Sequence, residues 1–172
     1  MSEITVRALT ENDWETYREV RLAALKESPE AFVASLDDEE QFDEQTWRDR
    51  MNRSQRLLAE VEGGRVGVAS IGAFEGGDEP GAAGQLFGLW VTPDWRGKSV
   101  AAELVRQAAK HARSQGLDLL YYWVGTENGR AVAFASSFGF RPTDERREVR
   151  VKNDFDGDQE VAMVLPLGKD RR

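Results

Sequence analysis

The residues best equipped for chemistry stand together at Arg96-Gly97-Lys98-Ser99. An apolar run ends just before them at Val91, and Thr92-Pro93-Asp94 turns the chain, because Pro93 has no N–H to donate to a sheet ladder. Just after them, Val100, Leu104, Val105, Ala108, Ala109 and Ala112 recur at helical spacing, with Glu103, Arg106, Gln107 and Lys110 on the opposite face. A strand end, a small-residue turn carrying cations and a helix start make a place for an anion. The first N–H groups of a helix lack internal partners, and the helix dipole adds positive potential there. A phosphate suits such a place, although an ordinary turn eased by Gly97 would read the same locally. The glycine spacing of a Walker-type loop is missing, as are the second and third glycines of a dinucleotide fingerprint.

The elements that must position this stretch follow in chain order. Ile4 to Ala8 alternates as a first strand, and Thr10 with Asp13 caps a helix carrying Trp14, Tyr17, Val20, Arg21, Ala24 and Leu25 on one stripe. Ser28-Pro29 ends that helix. Glu30 to Glu44 reads as irregular, and Thr46 to Arg53 as helical. Arg56–Glu62 and Arg65–Ile71 flank Gly63-Gly64 and predict a hairpin. A loop over 76–84 precedes the central strand. After the long helix and Gly116, Leu117 to Val124 reads as a buried strand, so strand, helix and strand predict a parallel βαβ crossover. A helix follows from Asn128. Arg146–Lys152 and Gln159–Leu167 predict a closing hairpin, and Lys169 to Arg172 a frayed tail.

Composition limits the function classes. With 172 residues, 40% hydrophobic and 31% charged, the chain reads as one domain over 1–168. No apolar run has the length of a membrane span and the first residues lack a secretion-signal layout, which predicts a cytoplasmic protein without a membrane partner. A net charge of −8 argues against a sequence-independent grip on nucleic acid and favours a cationic substrate through long-range attraction. The absence of cysteine rules out thiol nucleophiles and disulfides, and a single histidine argues against structural zinc. His111 is expected to face solvent near a helix end. The Asp154-Phe155-Asp156-Gly157-Asp158 run has its glycine out of place for a calcium loop, so a solvated turn is expected.

Val91-Thr92-Pro93-Asp94-Trp95-Arg96-Gly97-Lys98-Ser99-Val100-Ala101 resembles the acyl-CoA-binding signature of the GNAT family of N-acetyltransferases, with Ser99 where glycine is usual. Asn128-Gly129-Arg130-Ala131, followed by Phe138-Gly139-Phe140, resembles the family's later helix. The resemblance implies an α/β fold with a mixed central sheet of about seven strands, antiparallel in its first half and parallel at the cofactor site. It implies acetyl-CoA as acyl donor and a primary amine of a small molecule or exposed peptide as acceptor, with a homodimer possible. Leu89, Trp90 and Val91 would then meet the pantetheine arm, Arg96, Gly97, Lys98, Ser99, Val100, Ala101 and Ala102 the pyrophosphate, and Asn128 would orient the arm.

Three positions that handle protons in relatives are filled here by Gln85, Trp123 and Ala135, none of which exchanges a proton near neutral pH. Tyr122 is the candidate acid, against the alternative of an ordinary sheet tyrosine; Glu127, Tyr121, Glu75 and Glu79 are further candidates. Trp14, Trp47, Trp90 and Trp95 are either an acceptor lining or core. The acidic run Asp37–Glu40 is either a wet face or an attractor for an amine. The empty proton positions leave a second reading open, an acyl-CoA-binding module without catalysis.

Overall fold

The computed structural model describes residues 3–29, 34–74, 81–126, 128–148 and 159–168. Strand β1 (Thr5–Ala8) is followed by helix α1 (Trp14–Glu27), entered through a 3-10 turn at Glu11–Asp13. The Thr10 N–H donates to the Asp13 carboxylate at 2.8 Å, the reciprocal half of a capping box. Helix α2 (Leu36–Glu40) and helix α3 (Glu44–Arg53) come next. The short α2 corrects the expectation of an irregular segment: Ser35 caps it by accepting from the Asp38 N–H. A single turn is too short to leave a periodic signal in sequence. Asp43 caps α3 by accepting from the Thr46 N–H at 2.9 Å.

Strands β2 (Gln55–Val61) and β3 (Gly64–Ala73) form the expected hairpin, and β4 (Ala83–Val91) continues the antiparallel run. Helix α4 (Val100–Ser114) crosses over to β5 (Leu119–Gly125), which pairs parallel to β4 as predicted. Helix α5 (Gly129–Ser137) leads into β6 (Arg141–Glu148) and β7 (Gln159–Pro166). The closing pair begins at Arg141, earlier than the alternation suggested, because Pro142 sits beside a register irregularity that masks the period. Residues 149–158 and 169–172, including the Asp154–Asp158 run, lie outside the described residues.

The seven strands form one mixed sheet in the order β1-β2-β3-β4-β5-β7-β6. Side-chain alternation divides its two faces. On one, Leu57, Ala59, Ala69, Ile71, Leu86 and Leu120 pack against Val100, Leu104, Val105, Ala108 and Ala112 of α4 and against Ala135 of α5. On the other, Leu58 and Val68 pack against Tyr17 and Val20 of α1 and Trp47 and Met51 of α3. The stripe read from α4 is therefore the buried one, and Trp47, at 0% exposure, is core.

Candidate active site

Strand β4 changes character half-way along. Ala83 to Leu86 pair with Leu119 to Tyr122 of β5, and there the parallel ladder stops. On the β3 side the pairing also shifts, from Ser70↔Phe87 to Val68↔Trp90. Gly88 stands in the shift with φ +64°, a left-handed conformation that a residue with a Cβ adopts only at a cost. Beyond this bulge Trp90 and Val91 pair again with Val68 and Gly67 of β3, while the pairing to β5 has ended at Leu86. The Thr92 N–H donates to the Val66 carbonyl at 2.9 Å. By strand alternation, the N–H group of Val91 therefore points to the open side, away from β3. Lone Gly88 inside an apolar run was the sequence signal for the bulge.

The open side of β4 leads to the start of α4. Gly97 has φ +77° and Ser99 φ +74°, the latter the one non-glycine residue with positive φ among the described residues. The first hydrogen bond into α4 runs from the Glu103 N–H to the carbonyl of Ser99, its N-cap, at 3.0 Å. The N–H groups of Val100, Ala101 and Ala102 precede that bond and are the ladder's unpaired donors. Nothing within 4 Å would meet a Cβ at Gly97, so space lies open beside the turn. Lys98 is exposed, with its ammonium 5.3 Å from the Trp95 ring.

Arg96 points elsewhere. Its Nε donates to the Val91 carbonyl at 2.9 Å and its Nη2 to the Glu27 carboxylate at 2.7 Å. Glu27 also accepts from Trp90 Nε1 at 3.1 Å and from the Ser28 hydroxyl. The side chain read from sequence as a pyrophosphate ligand thus clamps the end of β4 to the end of α1. Hydrogen bonds from Ser28, Trp90 and Arg96 hold the Glu27 carboxyl below its ordinary range, which makes it a poor base.

Tyr122 occupies the last β5 position paired to β4, opposite Leu86. Its ring meets Phe140 edge-on at 6.1 Å and packs on the α4 face of the sheet. Burial, and then the charge of Glu160, push its phenol above the ordinary value, so it stays protonated. Tyr121 points to the other face, stacked on Phe74 at 3.9 Å. Asn128 caps α5, its Oδ1 accepting from the Ala131 N–H at 3.1 Å. Glu75, Glu79 and Glu127 lie outside the described residues.

Two other expectations change. Glu39 is buried rather than wet, bonded by Arg21 at 3.0 and 3.1 Å and by Arg50 at 2.9 Å, so the acidic run does not offer this carboxylate to an amine. His111 keeps its Nε2 buried without a partner rather than in solvent, and burial lowers its pKa. The tryptophans do not converge. Trp14 and Trp90 border the α1 side of the core around Trp47, whereas Trp95 borders the α4 side. No helix among the described residues is long and apolar enough to cross a membrane, and none of their His, Asp or Glu side chains cluster as metal ligands.

Residues 9–140 match the sequence model of the acetyltransferase (GNAT) family. The chain belongs to that family. An uncharacterized N-acetyltransferase of Methanocaldococcus jannaschii is 29% identical over 104 residues, 60% of this chain and 44% of the relative. A mycothiol acetyltransferase of Thermobifida fusca is 28% identical over 123 residues, 68% of this chain and 37% of the relative. The chain thus spans about two fifths of the length of these two relatives. A Salmonella typhimurium protein assigned as an acetyltransferase, solved with its cofactor acetyl-CoA, shares the fold with a TM-score of 0.72 at 18% identity, over 98% of this chain and 96% of that one. The GNAT fold accounts for the mixed sheet and for the parallel β4–β5 pair that parts beyond Leu86.

Proposed function

We propose that the protein transfers an acetyl group from acetyl-CoA directly to a primary amine. The observation that carries this reading is the gap beyond Leu86, where the N–H of Val91 lies on the same open side that leads to the unpaired donors of α4. The main-chain N–H groups from Gly97 to Ala102 suit the pyrophosphate, with exposed Lys98 adding a positive charge beside them. Arg96 serves here as a positioning residue that fixes the β4 end. The Leu89 and Val91 amides suit the pantetheine and the thioester oxygen, where negative charge grows during the reaction. Asn128 fixes the start of α5 through its cap and leaves its amide nitrogen for the cofactor arm.

In the transfer step, the amine nitrogen bonds to the acetyl carbon and the C–S bond breaks. The surplus amine proton goes to solvent, and the departing sulfur takes a proton from the Tyr122 hydroxyl, which solvent restores. A phenol held above its ordinary pKa fits this donor role and not that of a base. With Gln85, Trp123 and Ala135 at the other proton positions, holding the reactants in place supplies most of the rate. An acceptor that must shed its own proton makes kcat/KM rise with pH and level off above the acceptor's ammonium pKa. Thiol release measured from pH 6 to 9.5 with two acceptors of different pKa checks this, because the inflection must move with the acceptor. An inflection fixed at one pH would reveal an enzyme base instead. Tyr122→Phe is expected to lower kcat about a hundredfold, the usual scale for a general acid, with acetyl-CoA affinity by calorimetry unchanged.

The three inert proton positions favour one other reading, a module that binds acyl-CoA without turnover. It predicts calorimetric binding of acetyl-CoA and no thiol release with any amine. The acceptor amine belongs to a small molecule or an exposed peptide end, and the reaction calls for a compartment that holds acetyl-CoA, the cytoplasm above all.

A further inference from the structure

A cavity of about 160 Å³ opens on the opposite side of the β4 bulge from α4, lined by Tyr17, Ser70, Phe87, Gly88 and four arginines: Arg21, Arg50, Arg53 and Arg56. It reaches Gly88, the residue that parts β4 from its neighbour and stands directly before Leu89. Glu39 takes Arg21 and Arg50 together. Arg53 has no hydrogen bond or ion pair within the described residues and is exposed.

Arg56 is the unusual member. It sits on β2 in phase with Leu58, so its side chain enters the α1 face of the sheet, and only 3% of the residue is exposed. Its Nη1 donates to the Ser70 hydroxyl at 2.8 Å and its Nη2 to the Arg50 carbonyl at 3.1 Å, while its Nε is buried with no partner. Aromatic faces sandwich it, Tyr17 at 4.7 Å and Phe87 at 5.6 Å. Taking a guanidinium out of water without a carboxylate is costly, and packing three more guanidiniums near it adds to the cost. Burial, and then the charges of Arg50, Arg21 and Arg53, act to lower its pKa. A fold that served stability alone would place an apolar side chain here; a guanidinium kept in place without a counter-charge suits a ligand that brings one.

We infer that this cavity binds an anionic group, a carboxylate or a phosphate, carried by the acceptor amine itself, so that the enzyme selects small amino acids or phosphorylated amines over neutral amines and polyamines. The inference rests on the acetyl-transfer reading and deepens it. An anion held by Arg56 and Arg53 would tether the acceptor beside Gly88, on the flank of the strand whose next amides face the thioester. It reverses the expectation from net charge. The −8 is a sum over the whole chain, and its field is screened within about 10 Å at ordinary salt, whereas these arginines line one concave site.

Matched acceptors test it. Ethanolamine, ethanolamine phosphate, glycine, glycinamide and spermidine differ in charge and in ammonium pKa, so thiol release from acetyl-CoA is expressed as kcat/KM per unprotonated amine for each. The expected result is at least a tenfold preference for the phosphate or the carboxylate member over its neutral partner, and which of the two wins identifies the anion. Arg53→Gln, a change at an exposed position, is expected to raise KM for the anionic acceptor about tenfold, to leave KM for the neutral one within twofold, and to leave calorimetric acetyl-CoA affinity unchanged. Equal or better turnover of the neutral or cationic amines, or an anionic KM unmoved by Arg53→Gln, overturns the inference. If acetyl-CoA binds and no amine releases thiol, the transfer reading has failed, and calorimetry with inorganic phosphate and with acetate decides the cavity separately. Binding weakened tenfold in Arg53→Gln keeps the anion site, and no binding of either anion removes it.

Discussion

At the scale of single residues, the turn into α4 carries a conformational cost. Ser99 holds φ +74°, a conformation disfavoured by about 1–2 kcal/mol for residues bearing a Cβ. Part of that cost would be offset in the unfolded chain if glycine replaced it, since glycine is the freer residue there. Ser99→Gly is therefore expected to raise stability by about 0.5–1 kcal/mol, read as a higher urea midpoint with unchanged slope. It leaves the backbone donors of the turn in place, so acetyl-CoA affinity should hold. Arg96 teaches a complementary point. Its position in the motif is that of a phosphate ligand, yet Glu27, reached only through the fold, takes its guanidinium.

At the scale of elements, caps and bulges set the site more than helix or strand propensity does. Helix α5 is short, and its first turn depends on Asn128 accepting from the Ala131 N–H. Asn128→Ala removes that acceptor and is expected to cost about 1 kcal/mol, measured by urea unfolding. Since α5 supplies Ala131, Val132 and Phe134 to the core under β5, the same change should loosen the helix locally, visible as faster amide exchange from Gly129 to Val132. The bulge at Gly88 works at the same scale. Gly88, with its positive φ, stands where β4 parts from β5 and also lines the arginine-bearing cavity.

At the scale of the whole molecule, charge decides how stability follows pH. Burial raises the Glu39 pKa, but hydrogen bonds from Arg21 and Arg50 outweigh it, and the net shift is downward. A carboxyl with a folded pKa below its unfolded value of about 4.3 stabilises the fold above that pH. The contribution fades as pH falls through the folded value. Glu39→Ala removes the carboxylate bonded to both arginines, an effect on the order of 3 kcal/mol for a buried pair. The difference between wild type and Glu39→Ala in urea midpoint is expected to be largest at pH 7 and to shrink as pH falls below about 4.3 and through the lowered folded value. His111 has the same sign at a higher pH. Its folded pKa is lowered by burial, so its protonation works against the fold as pH drops below about 6.5.

What the sequence determined by itself was everything governed by neighbours along the chain. The stripe of α4, the Ser28-Pro29 stop, the Gly63 hairpin, the glycine-bearing turn before α4 and the parallel crossover all follow from periodicity and turn chemistry, which act over a few residues. Only the tertiary structure decided what depends on residues far apart meeting: β7 inserted between β5 and β6, Glu39 drawn inward by Arg21 and Arg50, Arg96 turned onto Glu27, and Arg56 sealed between Tyr17 and Phe87. A guanidinium reads in sequence as a surface charge, because nothing local records which distant groups will surround it. Its electrostatic setting is fixed by the packing of α1 and α3 across the sheet.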